Sequence, residues 1–254
     1  MATNTALRPA EFSAEEWELR CNLAALYRAF VRYGWTDLIY THISARLPEE
    51  GLYLLNPYGL LFEEITASNL ITLDYDGNVV RGDYRCNYAG HAIHHAVLKA
   101  RPDVNWVLHS HTRAGMAVSC MKCGLLPLVQ QSMFFHGHVS YHDWDVQTSG
   151  QEECDALAAD LGPKNMAMIL QNHGLLACGR SVGEAFVTLY NLEVGCKVQV
   201  DVMQSGQDIL LPGDEELKRT SVYGDPDNVG GMGGDREWDA IIRWLERTDT
   251  SYRT

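Results

Sequence analysis

The sequence predicts an α/β layered domain, and three observations carry that prediction. Short apolar runs rich in β-formers end at turn residues or histidines, and stretches with helical periodicity alternate with them. Asp76-Gly77 sits between two such runs, a strong hairpin signal. Early short strands followed by alternating helices and strands favour one layered unit over two, so residues 1–254 are expected to form a single domain. Residues 1–12 read as a flexible tail, and 224–234 as a Gly-rich linker to a short C-terminal helix.

Taken in order, Ser13-Ala14-Glu15-Glu16 has the form of a capping box, in which serine and glutamate each satisfy an orphan amide. Leu23, Tyr27, Phe30 and Val31 recur at helical spacing, and Gly34 is placed to end that helix. Trp35 to Pro48 reads as a loop feeding a strand, and Leu52 to Leu55 as a second strand. Asn56-Pro57-Tyr58-Gly59 is a turn with pocket-forming character, because loops at strand ends often carry function. Ile71 to Tyr75 and Asn78 to Arg81 are the arms of the hairpin. A helix is expected over Ala89 to Ala100, stopped by Arg101-Pro102. Val104 to His111 is a buried strand, Arg113 to Met121 a helix, and Val139 to Tyr141 a short strand. Ser149 to Glu152 is another capping box, opening a helix to Leu161 that leads into a strand ending at His173. Leu175 to Cys178 continues as a strand, and Ser181-Val182-Gly183-Glu184 caps a long helix. Trp238, Ile241, Ile242 and Leu245 stand at core spacing in the terminal helix.

Composition excludes several classes. The formal net charge of −13, with no concentration of Lys and Arg, argues against a nucleic-acid binder. No uncharged apolar run is long enough for a transmembrane helix, so no membrane partner is expected. Met1 to Glu18 lacks the basic and apolar regions of a signal peptide. Seven cysteines without framework spacing suggest reduced thiols in a cytoplasmic protein. Cys120 and Cys123 form a lone C-x-x-C, read as coincidental without a second pair.

The chemistry is expected at His109-Ser110-His111. On an extended chain, residues i and i+2 project to one face, so both imidazoles can meet one metal ion. His173, at the end of another apolar run, supplies a third, and Gly174 lets the chain turn sharply or approach a neighbour closely. Three histidines with positions left open make a catalytic metal site, whereas structural sites are usually closed by four ligands. The predicted helix adds His91, His94 and His95. His91 and His95 are i,i+4 neighbours that could chelate a metal themselves, but the plainer reading is that one of the three histidines faces the core or site and the others are exposed. His136, His138 and His142 are read as hydrogen-bonding residues.

The combined pattern resembles the class II aldolase/adducin family over about Leu19 to Arg253. The carriers are Tyr33-Gly34-Trp35-Thr36-Asp37 with His42-Ile43-Ser44-Ala45-Arg46, Asn56-Pro57-Tyr58-Gly59, and Phe62-Glu63-Glu64-Ile65. Further on they are Ala100-Arg101-Pro102-Asp103, His109-Ser110-His111-Thr112, Asn172-His173-Gly174-Leu175-Leu176 and Glu184-Ala185-Phe186. The resemblance implies a three-layer α/β/α domain with a mostly antiparallel central sheet, and a homotetramer with its active site at a subunit interface. It also implies that His109, His111 and His173 bind one divalent metal, commonly zinc, that stabilises an enediolate during aldol cleavage.

The sequence departs from the sugar-phosphate aldolases of that family at several points. Their metal-ligating or basic glutamate, on the helix before the His-x-His strand, is replaced here by Gly90 in Tyr88-Ala89-Gly90. Thr41-His42 and Tyr58-Gly59 stand where those enzymes cradle a phosphate, and Gln130 or Gln131 replaces their interface tyrosine. A substrate pocket lined by His42, Tyr58, Gly59 and Tyr88, with Gln130 or Gln131, suits a planar or carboxylated small molecule better than a sugar phosphate. The general acid/base must then be a metal-activated water or His94, four residues after Gly90 on the same helix face.

Three neutral imidazoles leave the ion its full +2 charge, a Lewis acid suited to an enolate oxygen. The expected function is therefore a metal-dependent carbon–carbon lyase, by aldol cleavage or decarboxylation, with Zn2+ ahead of Mn2+ or Fe2+. A non-haem Fe2+ oxygenase is one alternative, and a non-catalytic adducin-like scaffold another.

Overall fold

The alternation of residues on each strand determines the layering. In the sequence of β-runs, one set of side chains packs with Leu23, Phe30, Phe186 and Leu189, the other with Ile93, Val97, Leu157 and Leu161. Ile43, Leu54, Leu108, Ile169 and Leu175 face the first group; Tyr53, Leu55, Val107, Met168 and Leu176 face the second. A sheet whose two faces are both apolar has to be covered by helices on both sides.

The computed structural model describes residues 8–144, 150–228 and 232–254. In chain order its elements are α1 (Ala14–Tyr33), β1 (His42–Arg46), β2 (Leu52–Leu55), β3 (Ile71–Asp74), β4 (Val79–Arg81), α2 (Tyr88–Ala100), β5 (Trp106–Ser110) and α3 (Arg113–Ser119). They continue as α4 (Gln130–Met133), β6 (Val139–His142), α5 (Gln151–Leu161), β7 (Ala167–Leu170), β8 (Gly174–Gly179), α6 (Val182–Gln204), α7 (Asp214–Ser221) and α8 (Asp235–Thr248). The strands form one sheet in the order β4-β3-β2-β1-β5-β8-β7-β6. Only β6 and β7 run parallel; the other neighbours are antiparallel. Helices α2 and α5 cover one face, and α1, α3, α6 and α8 the other. The three-layer, mostly antiparallel architecture expected from the sequence is the one observed.

Several local expectations change. Ser13 caps α1 by accepting from Glu16 N at 3.0 Å, and Gly34 ends the helix in the left-handed region at φ +67. The glutamate half of that capping box is absent: Glu16 binds Arg20 at 2.9 Å and Arg81 at 3.0 Å, charge-assisted bonds stronger than a cap amide offers. Part of the expected 1–12 tail is packed, since Phe12 is buried against Trp17 with the Arg20 guanidinium 4.0 Å above its ring; residues 1–7 lie outside the described residues. Ser149, the expected cap of α5, also lies outside them, and that helix begins after Gly150 without a side-chain cap. Helix α7 was not foreseen because its charged residues bury only Leu217. Within the expected 224–234 linker, residues 229–231 lie outside the described residues.

Candidate metal centre

Strand β5 sits at the middle of the sheet with β1 on one side and β8 on the other. Its register with β1 places His42 directly opposite His109. Both lie on the face covered by α2, because Ile43 and Leu108, one residue away, belong to the opposite core. His173 is not at a strand end as expected. It lies in the turn between β7 and β8, three residues past Leu170, with Asn172 at φ +57 making the turn. The close approach falls to Gly174, where a Cβ would collide with the Ser110 carbonyl oxygen. That packing is what brings the turn beside His111.

His109, His111 and His173 each offer a ligand nitrogen, and these atoms all lie within 4.8 Å of one another. His109 Nδ1 is 2.9 Å from the Leu175 carbonyl oxygen and His111 Nδ1 is 3.0 Å from Asp37 Oδ2. Both partners are pure acceptors, so each ring donates its Nδ1 proton outward and Nε2 is the nitrogen left to face the site. The two Nε2 atoms face each other at 2.8 Å. A contact this short needs a shared proton or a bound cation between or beside the two nitrogens, and the outer partners are of the kind that orient metal-binding imidazoles. Burial, then the neighbouring histidines, holds His109 well below the usual imidazole range. Burial, then His111 and His142, lowers His173 to about 4. The donor set fits a divalent metal.

His42 completes the wall. Its ring stacks on His109 at 4.9 Å and 27°. Its Nδ1 is 2.7 Å from His94 Nε2, and His94 Nδ1 bonds the Ser44 hydroxyl. Burial first, and the histidines around it, keep His42 well below the usual imidazole range. Its Nε2 bonds no side chain or backbone group among the described residues, and lies 3.0 Å from where a Cβ of residue 90 would stand. His94, expected to reach the metal side, is fully buried behind His42 with both nitrogens engaged. The reason lies at Gly90: a Cβ there would stand 2.5 Å from His42 Cδ2, so the missing side chain is the seat of the His42 ring.

The remaining expected residues are placed as follows. Tyr58 and Tyr88 are exposed, and the Tyr58 amide donates to the Arg85 carbonyl at 3.0 Å, which ties the 56–59 turn to the start of α2. Gly59 has φ +102, and Thr41, beside His42, holds φ +67, a conformation rare for a β-branched residue. Tyr27, buried, lies 2.7 Å from the Ile43 carbonyl and 2.9 Å from Asn56 Oδ1, joining that turn to β1. Gln130 and Gln131 open α4, which packs on α6 on the other side of the sheet, and neither side chain bonds the histidines. His91 and His95 stack in parallel at 5.2 Å, with His91 Nδ1 2.6 Å from the Tyr53 hydroxyl. His142 bonds Glu153 at 2.8 Å and Asp160 at 2.7 Å. Asp37 and Ser44 were missed as site residues; an acid in the Tyr33–Asp37 stretch was the available signal.

Residues 21–200 match the family profile described as the Class II Aldolase and Adducin N-terminal domain. The chain belongs to the class II aldolase and adducin family. A solved aldolase II superfamily protein from Pseudomonas syringae is 44% identical, with TM-score 0.90 over 96% of this chain and 98% of that one. L-fuculose 1-phosphate aldolase from Glaciozyma antarctica PI12 is 29% identical, with TM-score 0.81 over 97% of both chains. Rat alpha-adducin is 41% identical over 93% of this chain, which spans 34% of the adducin. The three-histidine group of this chain thus stands on a fold shared with a solved aldolase, in a family that also holds adducins.

Proposed function

We propose that the protein is a metal-dependent carbon–carbon lyase, acting by aldol cleavage or decarboxylation on a non-phosphorylated, carboxylated hydroxy or keto substrate. The observation that carries this reading is the pair of Nε2 atoms of His109 and His111, turned inward beside His173 with Nδ1 of each ring held from outside. A divalent ion held there, Zn2+ ahead of Mn2+ or Fe2+, supplies a Lewis acid for an enolate oxygen. Leu175 and Asp37 orient the two imidazoles from behind. His42 presents Nε2 to the reacting group and holds or moves a proton at that atom, while His94 and Ser44 fix its orientation. Tyr58, Gly59 and Tyr88 form the rim that receives the substrate.

The similarity to an L-fuculose 1-phosphate aldolase supports the lyase class. Rings at His42 and Tyr58, where smaller groups would hold a phosphate, turn the choice of substrate away from sugar phosphates. The exposed Leu38, Tyr40, Tyr58 and Tyr88 around the site support a homotetramer whose partner subunit completes the pocket, bringing Gln130 or Gln131 to it. The seven free cysteines support a reducing, cytoplasmic setting. No helix among the described residues is long and apolar enough to cross a membrane.

The 41% identity to alpha-adducin favours a second reading, a non-catalytic scaffold. Metal analysis of protein purified without added metal separates the possibilities. Stoichiometric zinc or manganese supports the lyase, iron supports an oxygenase instead, and protein that neither retains nor takes up metal supports the scaffold.

A further inference from the structure

The face of β5 turned away from the histidines carries its own polar group. Ser110 and Thr112 alternate with His109 and His111 and point to the α6 side. There Glu193, on α6, is fully buried. Its Oε1 accepts from Ser110 Oγ at 3.1 Å and from Thr112 Oγ1 at 2.6 Å, while its Oε2 has no partner among the described residues. Thr112 Oγ1 in turn accepts from Gly115 N at 3.2 Å, which starts α3.

We infer that Glu193 is a positioning residue for His111, clasping from behind the sheet the two hydroxyls that flank this histidine. The inference rests on the reading of His109, His111 and His173 as metal ligands. Strand pairing does not hold His111 in place: the ladder with β1 ends at His109 and the ladder with β8 at Ser110. From the front, His111 Nδ1 is held among the described residues by Asp37, itself on a loop with a side chain 41% exposed. A single buried oxygen holding residues 110 and 112 fixes the peptide between them, and so the direction in which the His111 ring leaves the backbone. A buried carboxyl with an orphan oxygen is costly, and an apolar side chain would fill this position at least as well if packing were its only duty.

The test is the affinity of the full chain, stripped of metal, for Zn2+ by chelator competition. Wild type that binds no Zn2+ removes the metal reading itself, and this inference with it. Given a wild type that binds, Glu193→Leu is expected to weaken Zn2+ binding by about 10–100-fold, the range for lost support behind a metal ligand. Glu193→Gln keeps the accepting oxygen and is expected to stay within about threefold of wild type. A lower melting temperature of metal-free Glu193→Leu with unchanged Zn2+ affinity overturns the inference, since that is a structural role only. An equal loss in the Gln and Leu variants overturns it too, because the clasp survives in one of them. If Glu193→Leu does not fold, Ser110→Ala removes one donor instead; several-fold weaker binding supports the inference and unchanged binding overturns it.

Discussion

Gly90 offers a sharp test of how the site is built, through the substitution Gly90→Ala. On a helix this change ordinarily stabilises by about 1 kcal/mol. Here the new Cβ would stand 2.5 Å from His42 Cδ2, 2.9 Å from Cγ and 3.0 Å from Nε2. The ring would have to withdraw by about 0.9 Å to reach ordinary contact, and overpacking of this kind costs about 1–3 kcal/mol. Withdrawal is opposed on two sides, by His94 at 2.7 Å and by the stacked His109 ring at 4.9 Å. The net expectation is a loss of up to about 2 kcal/mol, which lowers the melting temperature by about 2–4 °C per kcal/mol in a chain of this size. In a His42→Ala background the obstacle is gone, and Gly90→Ala should stabilise by about 1 kcal/mol. Urea denaturation of the four proteins gives the coupling directly, and the cost of leaving His94 without its partner cancels in the cycle. A coupling of about 1–3 kcal/mol is expected. If Gly90→Ala stabilises both backgrounds equally, His42 does not occupy the seat described and its role facing the metal centre falls with it.

Three further outcomes follow from the same geometry. His111→Ala and His173→Ala should each sharply lower the metal content; if both keep stoichiometric metal, the ligands are elsewhere and the His91/His95 pair becomes the candidate. Metal-free protein should lose stability as pH falls below about 6.5, the unfolded value for histidine. Buried His42, His94 and His109 resist protonation and His173 is held at about 4, so the unfolded chain binds more protons across that window and stability rises with pH there. His142 works the other way, because its bonds to Glu153 and Asp160 outweigh burial and raise it, but it is outnumbered. A urea midpoint no lower at pH 5 than at pH 7.5 contradicts this account. Finally, ketose 1-phosphates should be poor substrates: cleavage with kcat/KM of about 10⁴ M⁻¹s⁻¹ or more refutes the proposed pocket chemistry.

The sequence alone determined whatever depends on local periodicity. Ser13 and Gly34 bound the first helix because caps act within a few residues, and Asp76-Gly77 makes a hairpin turn, with Gly77 at φ +84. Strands β2, β5 and β8 are legible as apolar runs, and so is the His-x-His motif, although β5 ends at Ser110 and His111 lies just past the expected strand. Other features rest on contacts between residues far apart in the chain, which no local pattern records. That His42 faces His109 is a matter of register between β1 and β5, and only the packed sheet fixes it. The same residue count that put His94 on the face of Gly90 could not reveal that His42 fills the space between. Asp37 behind His111 and Glu193 beneath Ser110 and Thr112 are 74 and 81 or more residues from their partners. Their hydrogen bonds form only once the loop before β1 and helix α6 are pressed against opposite faces of one strand, so the tertiary structure alone could assign them.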